Sequence, residues 1–144
     1  MGLYSVFPQT DIVYTSNTAA EMIKYTSNSL LATLISFSNE IANLCSKIGG
    51  IDAMDVMHGV HLDKRISPIV NGKRVTPGIV SYLEGGCGFG GSCFPKDVQA
   101  FRSQAYEVGV EPYILDAVLK VNENQPYQVI NLLKESLIDL ENKK

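Results

Sequence analysis

The sequence contains no tryptophan, only two histidines and only three cysteines, Cys45, Cys87 and Cys93. An odd number of cysteines without repeated spacing argues against the disulfide framework of a small secreted domain and predicts a reducing, cytoplasmic setting. Long apolar runs are also missing, so no segment approaches the roughly 20 residues that cross a membrane. The net charge of -3 excludes the basic surface that nucleic-acid-binding domains present. What remains is the composition of one globular domain of 144 residues.

A long amphipathic helix is predicted over residues 18–47. Thr18 and Glu21 form a capping-box pattern at its start, and Gly49-Gly50 ends it. Apolar residues recur at three- and four-residue steps and predict a single stripe: Ile23, Leu30, Leu31, Leu34, Ile41, Cys45 and Ile48. Such a helix would be about 45 Å long, which exceeds what a small domain needs. We therefore expect its far end to pack against another surface, such as a second copy of the chain.

The segment after this helix is expected to be short-helical and then irregular. Asp52 caps a short helix that carries Met54, Val56 and Met57. Residues 62–84 are polar and rich in turn signals, with little indication of strands.

Two or three further helices complete the chain, so the fold is predicted to be mainly α. Pro95 suits the first turn of a helix that runs to Gly109. Pro112 opens another helix, which is predicted to end before Pro126 because proline interrupts a helix interior. A last helix then carries the apolar residues Val129, Ile130, Leu132, Leu133, Leu137 and Leu140, before a frayed tail at 141–144.

Five glycines crowd into residues 85–91, immediately before Ser92-Cys93-Phe94-Pro95. That density costs conformational entropy unless the backbone adopts positive φ or approaches a ligand closely. The N–H groups of such a loop and the positive end of the following helix form an anion site suited to a phosphate or pyrophosphate. The same environment, with Lys96 nearby, should stabilise a thiolate at Cys93. Asp97 follows one helical turn later and can hold a water or orient a proton-transfer partner.

A structural explanation competes with this chemical one. Glycine-rich turns before helices are often only tight turns, and a lone cysteine is more often a small core residue. Cys93 stands out because the loop and the helix start coincide there. Cys87 is predicted to be an unremarkable loop thiol, and Cys45 lies on the apolar stripe and is assigned to the core.

Other polar residues are weaker candidates. Lys24 and Asn28 are four residues apart and share one helix face, where they could hold a water or an oxyanion. Without further information, a solvated face is the simpler explanation. Arg65 is a candidate ligand for phosphate or sugar, although an isolated arginine is more often a surface charge. A zinc site made of His58, His61, Cys87 and Cys93 is disfavoured because its cysteines are too far apart in sequence.

The strings KYTSNSLLATLISFSNEIANLC, DKRI and GCGFGGSCFPKDVQAF resemble the UDP-glucose/GDP-mannose dehydrogenase family over about Asn17–Asn124. The resemblance implies an enzyme of three parts: an NAD-binding domain, a helical central domain with the cysteine, and a nucleotide-binding C-terminal domain. This chain resembles the central part, with a fold like the central domain of 6-phosphogluconate dehydrogenase. Residues 1–17 would be the connector from the NAD-binding domain and residues 18–144 the helical domain, which dimerises through helix 18–47. The chain has no G-x-G-x-x-G fingerprint and lacks the family's upstream glutamate.

The implied reaction is an NAD-dependent oxidation of a sugar C6 alcohol to a carboxylate in two hydride transfers, with no metal. Cys93 would carry the substrate as a thiohemiacetal and then as a thioester. By position, Lys24 and Asn28 resemble the pair that stabilises the oxyanion and holds the catalytic water, and Asp97 resembles the carboxylate that assists proton transfer. Lys96, with Cys93, would lie near the cofactor. The residues expected to contact substrate are Arg65, Tyr82, Leu83, Glu84, Gly88, Phe89, Gly90 and Gly91.

The chain departs from the family pattern between DKRI and the glycine loop. The segment 66–83 is longer than usual by about a dozen residues, a length that surface loops tolerate. Lys73 or Arg74 in this segment could therefore replace Arg65, and Glu84 stands where some relatives have a basic residue. UDP-glucose, GDP-mannose and N-acetylated UDP-hexosamines all remain possible substrates, with a mild preference for UDP-glucose. The alternative is a non-catalytic helical dimerisation module, and the isolated chain is expected to be inactive in either case.

Overall fold

The computed structural model describes residues 6, 7 and 9–137, so the predictions for Leu140, the tail 141–144 and part of the connector lie outside it. Four α-helices make up most of the described chain: α1 (Asn17–Ile48), α2 (Ala53–His61), α3 (Phe94–Glu107) and α4 (Tyr113–Ser136). Two short strands, β1 (Ile69–Val70) and β2 (Lys73–Arg74), and a 3-10 helix (Gly78–Tyr82) lie between α2 and α3. The prediction of a mainly α fold is confirmed. None of these helices is both long and apolar enough to traverse a lipid bilayer.

Helix α1 has nearly the predicted length but a different first residue. Ser16, not Thr18, is its N-cap, with extended backbone and a side chain that accepts a hydrogen bond from the Ala19 N–H at 3.2 Å. Ser16 and Thr18 both suit the cap position, and here the earlier residue is used, so Thr18 is already helical. Gly49 ends the helix as predicted, with φ of 77°.

The apolar stripe predicted on α1 supplies only part of its buried face: Cys45 is buried, as predicted, but most of the other buried residues are not apolar. The residues that face the rest of the domain are small or polar, and the buried ones are Asn28, Ser29, Ala32, Ser36, Ser38, Asn39 and Cys45. Large apolar residues of the stripe, including Ile23 and Leu30, remain about half exposed. Small side chains let α3 and α4 approach the α1 backbone closely, and the Ser36 hydroxyl donates to the Val118 carbonyl of α4 at 3.0 Å.

The apolar core lies where α1, α3 and α4 meet beneath the glycine loop. Its buried members come one from each helix and one from the loop: Ala32, Val98, Val118 and Phe89. Ile35, Phe94, Leu115 and Leu119 pack around them. Because Phe89 is part of this core, the loop that precedes Cys93 is anchored to the helical scaffold.

The long segment between α2 and the glycine loop contains a small β-hairpin that the sequence prediction did not include. Strands β1 and β2 are antiparallel and joined by Asn71 and Gly72, which have φ of 50° and 74°. Two positive φ values in a two-residue turn match the twist of paired strands. The Arg74 guanidinium donates to the carbonyls of Leu62 and Ser67, both at 2.8 Å, and so ties the hairpin to the end of α2.

Helix α4 continues through Pro126, so the prediction of two separate helices was wrong. Proline removes the N–H that would bond the carbonyl four residues earlier, which belongs to Asn122. The preceding residue, Gln125, is buried and is hydrogen-bonded by its side chain to α1 and to the glycine loop. These tertiary contacts hold the helix on both sides of the proline, which a local propensity argument cannot include.

Candidate active site

Cys93 lies at the junction between the glycine loop and α3. It occupies the N-cap position of α3, and its side chain makes no capping hydrogen bond to the helix. The thiol is exposed, and its sulfur lies 3.8 Å from the Ser92 hydroxyl oxygen. Pro95 is in the first turn of α3, as predicted. The sulfur is therefore open to solvent beside the positive end of a 14-residue helix.

A buried carboxylate lies one turn further into α3. Asp97 is 4% exposed, and its Oδ2 accepts a hydrogen bond from Asn28 Nδ2 of α1 at 2.5 Å. Its Oδ1 lies 3.2 Å from Lys96 Nζ. The hydrogen bond from Asn28 is the main cause that lowers the pKa of Asp97, with Lys96 and the charge of Lys24 adding to it. The carboxyl group is therefore held in its ionised form.

The polar residues predicted on α1, Lys24 and Asn28, lie beside the Asp97 carboxylate of α3. Asn28 and Asp97 are 69 positions apart in sequence and in direct contact in the fold. Lys24 is exposed one turn before Asn28, close enough for its charge to act on Asp97. Lys96 has a raised pKa, chiefly because of Asp97, with a smaller contribution from Cys93. The fold thus brings two cations, an amide and a carboxylate to the end of the helix that carries Cys93.

The glycine loop offers mainly backbone to a ligand. Phe89 and Leu83 are each 8% exposed, and the Phe89 ring packs against Phe94, with ring centroids 6.1 Å apart. Tyr82 is half-buried on the other side of Phe94, at 6.2 Å. Glu84 is exposed. Of the predicted substrate-contacting residues in this region, Leu83 and Phe89 can therefore contribute little more than their main chain.

Gly88, Gly90 and Gly91 differ in what they require. Gly88 and Gly91 have φ of 92° and 75°, a region that disfavours other residues. A Cβ on Gly88 would also lie 2.6 Å from Asn122 Oδ1, whereas Gly90 and Gly91 face open space. Among the hydrogen bonds of the described residues, none uses the N–H of Gly90 or Gly91. These two groups are free to bind an anion.

Sequence reasoning missed a set of four side-chain amides beneath the loop. We call this set the carboxamide clamp; it consists of Asn39 and Asn43 of α1 and Asn122 and Gln125 of α4. Asn122 accepts from the Phe89 N–H at 2.6 Å and donates to the Phe89 carbonyl at 3.0 Å. In the sequence, the clamp residues are visible only as amides on helix faces that also carry core residues. That pattern is too common to single them out.

The other half of the clamp holds Gly86. Asn39 Oδ1 accepts from the Gly86 N–H at 2.6 Å, and Gln125 Nε2 donates to the Gly86 carbonyl at 2.7 Å. Asn43 in turn donates to Gln125 Oε1 at 3.0 Å. Asn39 is fully buried, and Gln125 is 4% exposed. Both main-chain polar groups of Gly86 are therefore satisfied by buried side chains.

The cationic residues of the longer segment lie in different settings. Arg65 is at the surface, paired with Asp63 at 2.5 Å, and this pairing lowers the pKa of Asp63 to about 2. None of the hydrogen bonds of Arg65 within the described residues reaches the glycine loop. Lys73 is exposed on the hairpin, and Arg74 is engaged with two carbonyl groups. Among the described residues, no hydrogen bond or ion pair joins any of the three to Cys93 or to the glycine loop.

No group of three or more His, Cys, Asp or Glu side chains in residues 6, 7 and 9–137 could hold a metal ion. The rings of His58 and His61 are 6.4 Å apart, and His61 Nε2 lies 2.9 Å from the Leu83 carbonyl oxygen. The disfavoured zinc alternative therefore finds no ligand set here.

The glycine loop does not fit a dinucleotide cofactor in the way that a Rossmann fold does. That arrangement needs a glycine turn between a parallel strand and a helix. Here the loop follows the 3-10 helix Gly78–Tyr82, and the sheet within the described range is a two-stranded antiparallel hairpin. Within the described residues, the loop therefore lacks the strand–turn–helix arrangement that binds a dinucleotide.

Comparison with known proteins gives a consistent result. The model for the UDP-glucose/GDP-mannose dehydrogenase family, central domain, matches residues 18–124. The UDP-glucose 6-dehydrogenase of Haloferax volcanii is 40% identical over 133 residues, 92% of this chain and 28% of that protein. A UDP-glucose 6-dehydrogenase of Bacillus subtilis is 41% identical over 122 residues, 85% of this chain and 24% of the relative.

The structure of a UDP-glucose dehydrogenase from Pyrobaculum islandicum is also similar. It superposes with a TM-score of 0.75 and 38% sequence identity, over 94% of this chain and 29% of that one. The chain thus spans 24–29% of the length of these relatives.

Proposed function

This chain belongs to the UDP-glucose/GDP-mannose dehydrogenase family, whose central domain it matches, and from that premise we propose that it carries the catalytic cysteine of a nucleotide-sugar 6-dehydrogenase. The observation that supports this proposal most directly is the exposed Cys93 at the start of α3, one turn from the buried Asp97–Asn28 pair. The proposed substrate is a UDP-sugar, with UDP-glucose first because the relatives named above are UDP-glucose dehydrogenases.

The proposed reaction converts the C6 alcohol of the sugar into a carboxylate. NAD, when bound by other parts of the enzyme, accepts the hydrides. Cys93 acts at the aldehyde stage: its thiolate forms a C–S bond with C6, and the carbonyl π electrons move to oxygen to give a thiohemiacetal. The thiohemiacetal becomes the thioester when C6 gives up its remaining hydrogen as a hydride and the oxygen its proton. A water then adds to the carbonyl carbon, the C–S bond breaks, and the carboxylate and the thiolate are released with two protons.

The helix and its neighbours prepare Cys93 for this role. The N-terminus of α3 places partial positive charge beside the sulfur, and Lys96 adds a full charge. Both stabilise the negative charge that the sulfur carries when it acts as a nucleophile. The same thiol would be oxidised outside a reducing compartment, so a cytoplasmic setting is part of the proposal.

Asn28 and Lys24 are proposed to bind the oxygen that becomes negative when the sulfur attacks. A side-chain amide has two N–H donors, and Asn28 uses one on Asp97, which leaves one for the oxyanion or for the attacking water. The Asp97 bond fixes the orientation of that amide, and Lys24 supplies positive charge on the same edge. Because its pKa is lowered, Asp97 stays ionised and serves to hold and orient rather than as a strong base.

The diphosphate of the substrate is proposed to bind at the loop. The free N–H groups of Gly90 and Gly91 and the start of α3 can donate to phosphate oxygens. Gly90 and Gly91 have no heavy atoms where a Cβ would be, so a ligand can approach the backbone.

A homodimer formed through α1 is part of the proposal. Ile23, Leu30, Phe37 and Leu44 are spaced seven residues apart, which places them on one side of the helix. Each is 51–55% exposed, and together they lie on the side of α1 away from its buried small residues. A second copy of this stripe would cover them. The cationic residues Arg65 and Lys73 would then be available to a partner's site.

The rest of the reaction depends on parts that the family's longer members have beyond the matched region. We propose that residues 1–17 connect to an NAD-binding domain and that residues 18–144 form the central domain. The 144-residue chain alone is then expected to produce no NADH from NAD and UDP-glucose. Sustained NADH formation by this chain alone, abolished in Cys93→Ser, would overturn that division of labour.

The chemistry at Cys93 can be tested in the chain itself. Iodoacetamide labelling at pH 5.5–9, read for each thiol by peptide mass spectrometry, compares Cys93 with Cys87, an exposed thiol of the same loop. Cys93 is expected to react about tenfold faster than Cys87 below pH 7, because the N-terminus of α3 and the charge of Lys96 lie beside its sulfur. Cys45 is buried and should label only on unfolding. Equal rates for Cys93 and Cys87 at every pH would instead favour the non-catalytic dimerisation module.

A further inference from the structure

The hydrogen bonds of the carboxamide clamp are concentrated on one stretch of backbone, the glycine loop. Asn122 bonds both the N–H and the carbonyl of Phe89, as a neighbouring strand would. Asn39 and Gln125 together bond both groups of Gly86. Two residues of the glycine loop, Gly86 and Phe89, are thus held at both of their main-chain polar groups, and all four bonds come from side chains.

The clamped peptides lie directly before the part of the loop that is left free. Gly90 and Gly91 follow Phe89, their N–H groups have no partner among the described residues, and Cys93 comes two residues later. A change in the peptide plane at Phe89 would rotate the next N–H groups and shift the sulfur. The orientation of these groups is therefore set upstream, by α1 and α4.

Steric fit and helix geometry support the same assignment. A Cβ on Gly88 would collide with Asn122 Oδ1, so only glycine allows the amide to reach Phe89. Pro126 follows Gln125 directly and removes the N–H that would bond the Asn122 carbonyl. The α4 segment that carries both clamp side chains thus lacks one helical hydrogen bond, and the amides of Asn122 and Gln125 bond the loop.

We propose that the carboxamide clamp positions the glycine loop, so that the N–H groups of Gly90 and Gly91 face the diphosphate while Cys93 faces C6. Its members are positioning residues, since their hydrogen bonds are to the loop and to each other. This inference rests on the proposed function, because it assigns the loop the task of holding a nucleotide sugar. It adds that the geometry of the site is determined by α4, which contributes no residue to the predicted catalytic set.

The test uses two substitutions that keep side-chain size. Asn122→Asp keeps an acceptor for the Phe89 N–H but sets a carboxylate oxygen against the Phe89 carbonyl. Gln125→Glu does the same to the Gly86 carbonyl. The matched control is Asn124→Asp, two residues from Asn122 on the same helix, where the exposed amide bonds only the Lys120 carbonyl of its own helix. The control adds the same charge without touching the loop.

Three readouts on the 144-residue chain separate positioning from folding. They are helix content by circular dichroism, amide hydrogen exchange over residues 84–94, and the pH profile of Cys93 labelling by iodoacetamide. We expect Asn122→Asp and Gln125→Glu to keep their helix content, to exchange faster in the loop, and to label at Cys93 about tenfold more slowly than the control below pH 7. A role confined to folding would lower the melting temperature and leave the labelling profile of the folded chain unchanged.

The outcomes distinguish the two proposals. If Cys93 of the unsubstituted chain labels faster than Cys87, and both clamp variants match the Asn124→Asp control in loop exchange and labelling, the clamp inference is wrong and the proposed function stands. If Cys93 of the unsubstituted chain is no faster than Cys87, the proposed function fails, and the clamp inference fails with it. Should Asn122→Asp unfold, Gln125→Glu alone decides, because its carboxylate keeps the acceptor that Asn43 uses.

Discussion

Asn28 and Asp97 are joined by a 2.5 Å hydrogen bond from Nδ2 to Oδ2, which links α1 to the first turn of α3. The carboxylate is buried, and Lys96 contacts its other oxygen. This one contact fixes an amide donor beside the helix end that carries Cys93. It also makes the domain sensitive to pH, because an ionised group is held between helices.

Stability should fall in acid because of Asp97. Its pKa in the folded chain is lowered below 3.8, mainly by Asn28, so its stabilising effect is complete above pH 3.8 and is lost as pH falls through the folded pKa. Urea unfolding at several pH values should show the chain more stable than Asp97→Asn at pH 6, with the gap narrowing below pH 4. A gap that stays constant from pH 6 to pH 3 would contradict this.

Gly88→Ala should destabilise the chain by about 1–3 kcal/mol, since it strains a positive φ and pushes against Asn122. The matched control is Gly90→Ala in the same loop, where an added Cβ meets nothing within 4 Å. The control should change stability by less than about 0.5 kcal/mol. Urea unfolding midpoints of the two variants measure the difference, and similar midpoints would show that the close approach to Asn122 is not needed.

Phe37→Glu should dissociate the proposed dimer. Phe37 is 51% exposed, in the middle of the row formed by Ile23, Leu30, Phe37 and Leu44. A carboxylate there would be buried between two copies. Sedimentation equilibrium should show the dissociation constant of the dimer raised by at least about tenfold. Ile130→Glu, which adds the same charge at an exposed apolar site of α4, is the control and should stay dimeric. An unsubstituted chain that is monomeric at high micromolar concentration would rule out α1 as a self-sufficient interface.

Arg74→Ala should loosen the β-hairpin at a cost of about 1–2 kcal/mol, because two carbonyl groups lose a charged donor. Lys73→Ala removes a charge from the neighbouring, exposed position and should leave stability within about 0.5 kcal/mol. Thermal unfolding of both variants gives the comparison. Equal melting temperatures would mean that Arg74 is free for another role, such as contact with the substrate.

Local sequence was a good guide to the elements. The glycines at 49 and 50 ended α1, Asp52 capped α2, and Pro95 began α3, because each effect depends on a few adjacent residues. The same reasoning located Cys93 between a glycine loop and a helix start. It failed at Pro126, where a local rule for helix termination was overridden by the contacts of Gln125.

Side-chain environments were harder to predict. Apolar periodicity identified the stripe on α1 but not the small and polar residues that the domain packs against, and this packing leaves Leu30 half exposed. Periodicity shows that a stripe exists but not which surface covers it. Here the described residues leave Ile23 and Leu30 about half exposed. The carboxamide clamp could not be predicted, because an amide that bonds a distant peptide looks the same in sequence as one that faces solvent.

Helices α1 to α3, the glycine-rich loop with its nucleophile candidate, and the family could all be inferred from the sequence, because they depend on short motifs and local backbone preferences. Only the tertiary structure decided that Asp97 meets Asn28 and that Asn122 meets Phe89. Such contacts depend on how helices that are far apart in sequence pack together. In the folded chain, Asp97 is held as a carboxylate by its hydrogen-bond partners, and the Asn122 amide holds the loop at Phe89.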